Sequence, residues 1–187
     1  MSPKFWEYYL AIEEDLLNCS RYVEFSEQNY STYSNEFAKI IVLSSAEIDN
    51  ILRELCELMA PGSNAGNINK YHSIITNKYP NIINSYVKIR MADINLQPWN
   101  EWVDDKSPEW WRYGYNKIKH DRTNYFHQAN LKNALHSVGA LFLIILHYHD
   151  FLSEKSLAVD FNRSAKLFTP ETPEQGKSGM FMSYGIR

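Results

Sequence analysis

A chain of 187 residues, 44% hydrophobic and 22% charged, is long enough to bury one apolar core and too ordinary in composition for a fibrous or disordered protein. Its formal net charge of -3 excludes the global basic footprint of a dedicated duplex-binding protein, so any contact with nucleic acid needs a local patch or charge gathered by dimerisation. Cys19 and Cys56 form neither a metal-ligand cluster nor a disulfide framework and read as reduced core residues.

The N-terminal run MSPKFWEYYLAIEEDLL carries acids where a signal peptide needs an uncharged apolar stretch. Ser2-Pro3 opens a first helix, Pro standing where its missing N–H costs nothing. Phe5, Tyr9, Ile12, Leu16, Cys19 and Val23 recur at helical spacing as its buried face, with Glu13, Glu14 and Asp15 on the solvated side. Glu27–Ser34 is a polar turn. A second helix, capped by Ser34 or Asn35, runs to about Ala60 and stops at Pro61-Gly62; its stripe is Phe37, Ile41, Ile48, Leu52, Leu55 and Met59. Ser44 lies inside that stripe, where a small residue lets another helix approach, and Glu47 lies on its border. After a loop at Ser63–Asn67 comes a shorter helix, Ile68–Lys78, ended by Pro80.

From Ile82 the helical period weakens. Val87, Ile89 and Met91 alternate with Lys88 and Arg90, which predicts a short extended segment, and Pro98 and Pro108 punctuate irregular chain up to Trp110. The last long helix is expected from about Asn124 or Gln128 to Glu154. Its middle, VGALFLIIL, is apolar on every side and so central, yet the run Val138–Leu146 falls well short of the ~20 residues that span a bilayer. Beyond Asp160 the chain, with Pro170 and Pro173, reads as an extended or mobile tail. The expected fold is therefore all-α: a bundle of about four to five helices (residues 1–160) around a central C-terminal helix, with a partly extended insertion around 80–110 and a tail over 161–187. The expected location is cytoplasmic, with no membrane partner.

The segment Trp110–His127, WWRYGYNKIKHDRTNYFH, sets Arg112, Lys117, Lys119, His120, Arg122, Asn124 and His127 just ahead of the most apolar helix. A helix start offers free N–H groups to an anion, Arg grips phosphate with two parallel hydrogen bonds, and His exchanges protons near neutral pH. The plainer reading leaves Lys and Arg solvated and His120 and His127 in ordinary hydrogen bonds. Trp99, Trp102, Trp110 and Trp111, with Tyr113 and Tyr115, could stack unpaired bases. The favoured alternative is a small satellite core that keeps the irregular segment ordered. His136, His147 and His149 lack the i,i+4 spacing of a helical metal pair, and Gly176-Lys177-Ser178 lacks the upstream glycine and strand of a phosphate-binding loop. No metal site is expected.

Trp110-Trp111, the run Tyr115-Asn116-Lys117-Ile118-Lys119-His120-Asp121-Arg122 and the helix start Ala129–Asn133 together resemble the HEPN superfamily, the higher eukaryote and prokaryote nucleotide-binding domains. So does SSAEIDNILRELCE in the second helix, which in that superfamily carries an acidic residue near the site. The likeness in order and character spans roughly Phe5–Phe151. It implies a dimeric, metal-independent endoribonuclease without cofactor, in a toxin–antitoxin or antiphage setting, with RNA, a second copy and a cognate antitoxin or other protein as partners. The family motif, R-x(4–6)-H, maps onto Arg122 and His127, with Thr123 after the Arg and Asn124 next. By this resemblance His127 is the general base or acid, Arg122 stabilises charge on the scissile phosphate, and Asn124 orients one of them. Glu47 holds Arg122 or positions His127, while Arg112, Lys117, Lys119 and His120 bind substrate. Two other readings stay open: a non-catalytic helical module that binds a protein partner or nucleotide, and a structural protein whose KHDR segment only caps the last helix.

Overall fold

The computed structural model describes residues 4–103, 106–157, 161 and 163–171. Five helices, α1 (Trp6–Cys19), α2 (Asn35–Met59), α3 (Ile68–Lys78), α4 (Asn116–Tyr125) and α5 (Leu131–Glu154), are joined by three short strands, β1 (Tyr86–Ile89), β2 (Asn95–Leu96) and β3 (Phe168–Glu171). α5 is the axis. It is long and apolar enough to cross a membrane by length and composition alone, but most of it is buried by the other elements.

α2 makes the largest helix interface with α5. The Ser34 side chain caps it by accepting from the Phe37 N–H at 3.1 Å, and the helix ends just ahead of Pro61. Phe37, Ile40, Ile41, Ile48, Ile51, Leu52 and Leu55 are buried along one stripe, each such burial stabilising by about 1.5–3 kcal/mol. Ser44 is fully buried within it, its hydroxyl returned to the Ile40 carbonyl at 2.7 Å, so the small side chain admits α5 without an unmet polar group. Cys19 and Cys56 are buried free thiols.

The protein is mostly helical but not all-α. β1 is the centre of an antiparallel sheet in the order β2-β1-β3, with Val87 opposite Leu96 and Ile89 opposite Phe168. Alternation buries Val87 and Ile89 while Lys88 stays exposed; Met91 falls in the turn after β1 and is 55% exposed. The sheet packs on α5 at Gly139, where an added Cβ would lie 3.1 Å from Val87 Cγ2 and 3.4 Å from Pro98 Cγ. β3 comes from the chain after Asp160, so that part of the expected tail carries core: Leu167 and Phe168 are fully buried. Gly176-Lys177-Ser178 lies outside the described residues.

A carboxylate holds this strand in place. Glu13, expected on the solvated side of α1, is buried and accepts from the Lys166 and Leu167 N–H groups, both at 2.9 Å, and from the Tyr9 hydroxyl at 2.7 Å. The backbone donors replace water, which makes the burial tolerable.

Trp99, Trp102, Trp110 and Trp111 are all buried in the main core rather than in a separate cluster. The Trp110 indole donates to the Pro98 carbonyl at 2.7 Å and that of Trp102 to Ile68 at 3.2 Å, fastening the irregular 97–110 chain to the helices. These rings are not surfaces for bases.

Candidate functional site

The polar segment forms three consecutive pieces. A π-helical turn, Trp110–Tyr115, starts after Pro108 and leads straight into α4; a 3-10 turn, Phe126–Gln128, follows it. Gly114 in the wide turn lies against Asn133 of α5, where a Cβ would sit 3.3 Å from the Asn133 side chain. Only a glycine lets the turn pass that close without displacing Asn133.

α4 is broken at Asp121, whose φ of -151° and ψ of 59° are not helical. Its carboxylate accepts from the Asn124 side-chain amide at 3.0 Å and faces the Asn124 backbone N–H at 3.4 Å. Asp121 thus acts as the N-cap of a second short helical piece that begins at Arg122. This places the Arg122–His127 motif on a capped turn of its own rather than at the start of the long helix.

The long helix begins at Leu131, later than the expected Asn124 or Gln128, because Asn130 caps it: its side chain accepts from the Asn133 N–H at 2.9 Å. The Leu131 N–H donates to the Thr32 carbonyl at 2.9 Å and that of Lys132 to Tyr30 at 3.2 Å. The first donors of α5 are therefore spent within the protein, and the expected anion site at that helix start is not there.

What remains is a basic and aromatic surface. Residues 110–130 hold four cations, Arg112, Lys117, Lys119 and Arg122, against one acid, Asp121. Among the described residues, none of the four pairs with a carboxylate. Each lies over a ring instead: Arg112 over Tyr113 at 4.7 Å, Lys117 over Tyr125 at 4.4 Å, Lys119 over Tyr115 at 5.3 Å and Arg122 over Phe126 at 5.6 Å. Lys119, His120, Arg122, Asn124 and His127 are exposed, and Arg112 and Lys117 half-buried.

The candidate catalytic residues do not converge within one chain. Arg122 donates to the Asn35 side chain at 3.4 Å, at the start of α2, with Phe126 and Tyr33 edge to face beside it at 5.5 Å. His127 turns to Tyr125, ring centres 6.2 Å apart. Glu47 accepts from Asn50 at 3.2 Å on its own helix. It stands twelve residues beyond Asn35, a rise of ~18 Å, and so lies far from the side chain that engages Arg122 in the same chain. Asn124 is engaged by Asp121. The sequence marked Asn35 only as a candidate cap of α2 and Asp121 only as part of a segment capping the last helix; the Asp-x-x-Asn spacing was the signal for the local cap at Asp121, and nothing local signalled that Asn35 meets Arg122.

No family model, no curated protein and no solved structure matches this chain.

Proposed function

We propose that this chain is a HEPN-like, metal-independent endoribonuclease acting as a homodimer, with Arg122 of one copy and His127 of the other meeting at one scissile phosphate. The observation that supports this reading is the exposed α4 surface, where unpaired cations over aromatic rings flank an exposed Arg and an exposed His that do not contact each other within a chain. Such cations are available to RNA phosphates, and Tyr113 and Tyr125 beside them offer ring faces to unpaired bases.

In the proposed reaction, the ribose 2′-OH attacks the adjacent phosphorus while an imidazole takes its proton. The P–O5′ bond breaks, the leaving oxygen takes a proton from solvent water, the imidazolium of His127 later gives its proton back to solvent, and Arg122 neutralises the charge on the phosphoryl oxygens. The products are a 2′,3′-cyclic phosphate and a 5′-hydroxyl. A toxin–antitoxin or antiphage role, with a cognate antitoxin as partner, belongs to the same proposal.

A labelled single-stranded RNA incubated with the purified protein in EDTA tests it. Wild type should leave a 2′,3′-cyclic phosphate end, and His127→Ala and Arg122→Ala should not. Equal cleavage by all three would assign the activity to other residues. The second reading, a non-catalytic module that binds a protein partner or nucleotide, draws on the engagement of Arg122 by Asn35 and of Asn124 by Asp121. It predicts salt-dependent nucleotide binding without RNA cleavage.

A further inference from the structure

Arg122 belongs to a cluster that reaches beyond α4. Its guanidinium lies over the Phe126 ring at 5.6 Å and donates to the Asn35 side chain at 3.4 Å, and the Tyr33 ring meets Phe126 edge to face at 5.5 Å. Ser34, between Tyr33 and Asn35, is extended, with φ of -156° and ψ of 165°, which sends the two side chains to one side of the chain. Phe126 packs against the core, whereas Tyr33 is 53% exposed. The backbone around Tyr33 is nevertheless fixed: the Ser34 N–H donates to the Ala129 carbonyl at 3.1 Å, the Leu131 N–H to Thr32 at 2.9 Å, and Tyr33 pairs with Asn130 in an isolated bridge.

An edge-to-face contact covers at most one face of Tyr33, so a held ring presents an open face near the guanidinium, with only Phe126 between them. Rings fixed next to cations are the parts of single-strand sites: the cation meets phosphate and the ring stacks one base. Because the ring is ordered before binding, little freedom is lost when a base settles on it. A base within a duplex has its faces covered by its neighbours and cannot use the ring. We propose that Tyr33 stacks the base of a nucleotide next to the phosphate that Arg122 meets, so the RNA must be unpaired there. The proposal deepens the reading of Arg122 as the phosphate-binding residue and rests on it; Tyr33 binds and selects substrate and takes no part in the chemistry.

The test measures affinity by fluorescence anisotropy for a labelled 2′-O-methyl octauridylate, whose blocked 2′-oxygens prevent cleavage, and for an abasic oligomer of the same length. Tyr33→Ala should weaken octauridylate binding about tenfold and leave the abasic oligomer unchanged, while Tyr33→Trp should keep wild-type affinity for both. In wild type the Tyr33 ring resonances should shift saturably with octauridylate and not with the abasic oligomer, which decides the matter even if the alanine variant unfolds. Unchanged octauridylate binding in Tyr33→Ala, or an equal loss on both ligands, would overturn the proposal and leave the nuclease reading standing. A wild type that binds neither oligomer would overturn both. A wild type that shows the stacking pattern but never cleaves ordinary RNA would keep Tyr33 as a base site and overturn the nuclease reading alone.

Discussion

Two carboxylates, Asp121 and Glu13, shape this protein in opposite ways. Asp121 breaks α4 and caps the turn that carries Arg122, Asn124 and His127. Asp121→Ala should cost about 1 kcal/mol in urea unfolding, the usual cost of a lost cap, and should lower cleavage by the proposed site because Asn124 loses its only side-chain partner among the described residues. Unchanged stability would contradict the capping role. Glu13 instead joins the first helix to the chain that leads into β3, 153 residues away in sequence. Glu13→Ala should destabilise by about 3 kcal/mol, since it orphans the buried Leu167 N–H and the Tyr9 hydroxyl and removes the partner of the part-buried Lys166 N–H. Amide exchange at Lys166 and Leu167 should accelerate, and exchange at wild-type rates would show that other contacts hold the strap. The helical period of α1 places Glu13 beside Tyr9 and Leu16, but a carboxylate ordinarily stays in water. Only its distant donors reverse that preference, and a helical wheel cannot display them.

Among the elements, α5 meets the sheet at Gly139, with Val87 and Pro98 close against it. Alanine is intrinsically better than glycine inside a helix by about 1 kcal/mol, yet here its Cβ would press on Val87. Gly139→Ala should therefore destabilise the wild-type protein and do so less, or reverse sign, in a Val87→Ala background, with a coupling of about 1 kcal/mol in a double-mutant cycle. Simple additivity would contradict the steric account. The boundaries of α2 and α3 were legible because Ser34, Asn67, Pro61 and Pro80 act locally on strong apolar periods. β1 was legible in its alternation of Val87 and Ile89. β2 and β3 were not, since two- and four-residue strands take their identity from pairing across the chain rather than from a period. α4 was missed because it has almost no apolar stripe, only Ile118 of its ten residues being buried. The start of α5 was misplaced because Asn124 and Asn130 both suit a cap, and backbone pairing with residues 30–34 selects Asn130.

For the whole molecule, burial makes stability depend on pH. His147 and His149 are buried in α5 and His136 is half-buried near its start; burial lowers all three to about 4 from an ordinary value of 6.5. The unfolded chain therefore binds more protons between these values, and stability should be full above pH ~6.5 and fall as pH drops toward 4. For the fully buried His147 the loss is on the order of 3 kcal/mol. Melting temperature at pH 7 and pH 5 checks this, and His147→Phe should flatten part of the slope; an unchanged slope would assign it to other groups. The site was legible at the level of residue types, because basic and aromatic residues cluster within Trp110–His127. Its geometry was not, because Arg122 is engaged by Asn35 in another helix and Asn124 by Asp121 at the break in α4.

The central claim is that Arg122 and His127 act together across two copies. The most direct measurement mixes Arg122→Ala and His127→Ala proteins in equal amounts and follows cleavage of a labelled RNA in EDTA. Each variant alone should be slower than wild type by about 10²-fold or more, and the mixture should recover a substantial fraction of activity, since mixed dimers carry one intact site. An active wild type whose variants do not complement on mixing, or a wild type that binds RNA and never cleaves it, would contradict the account.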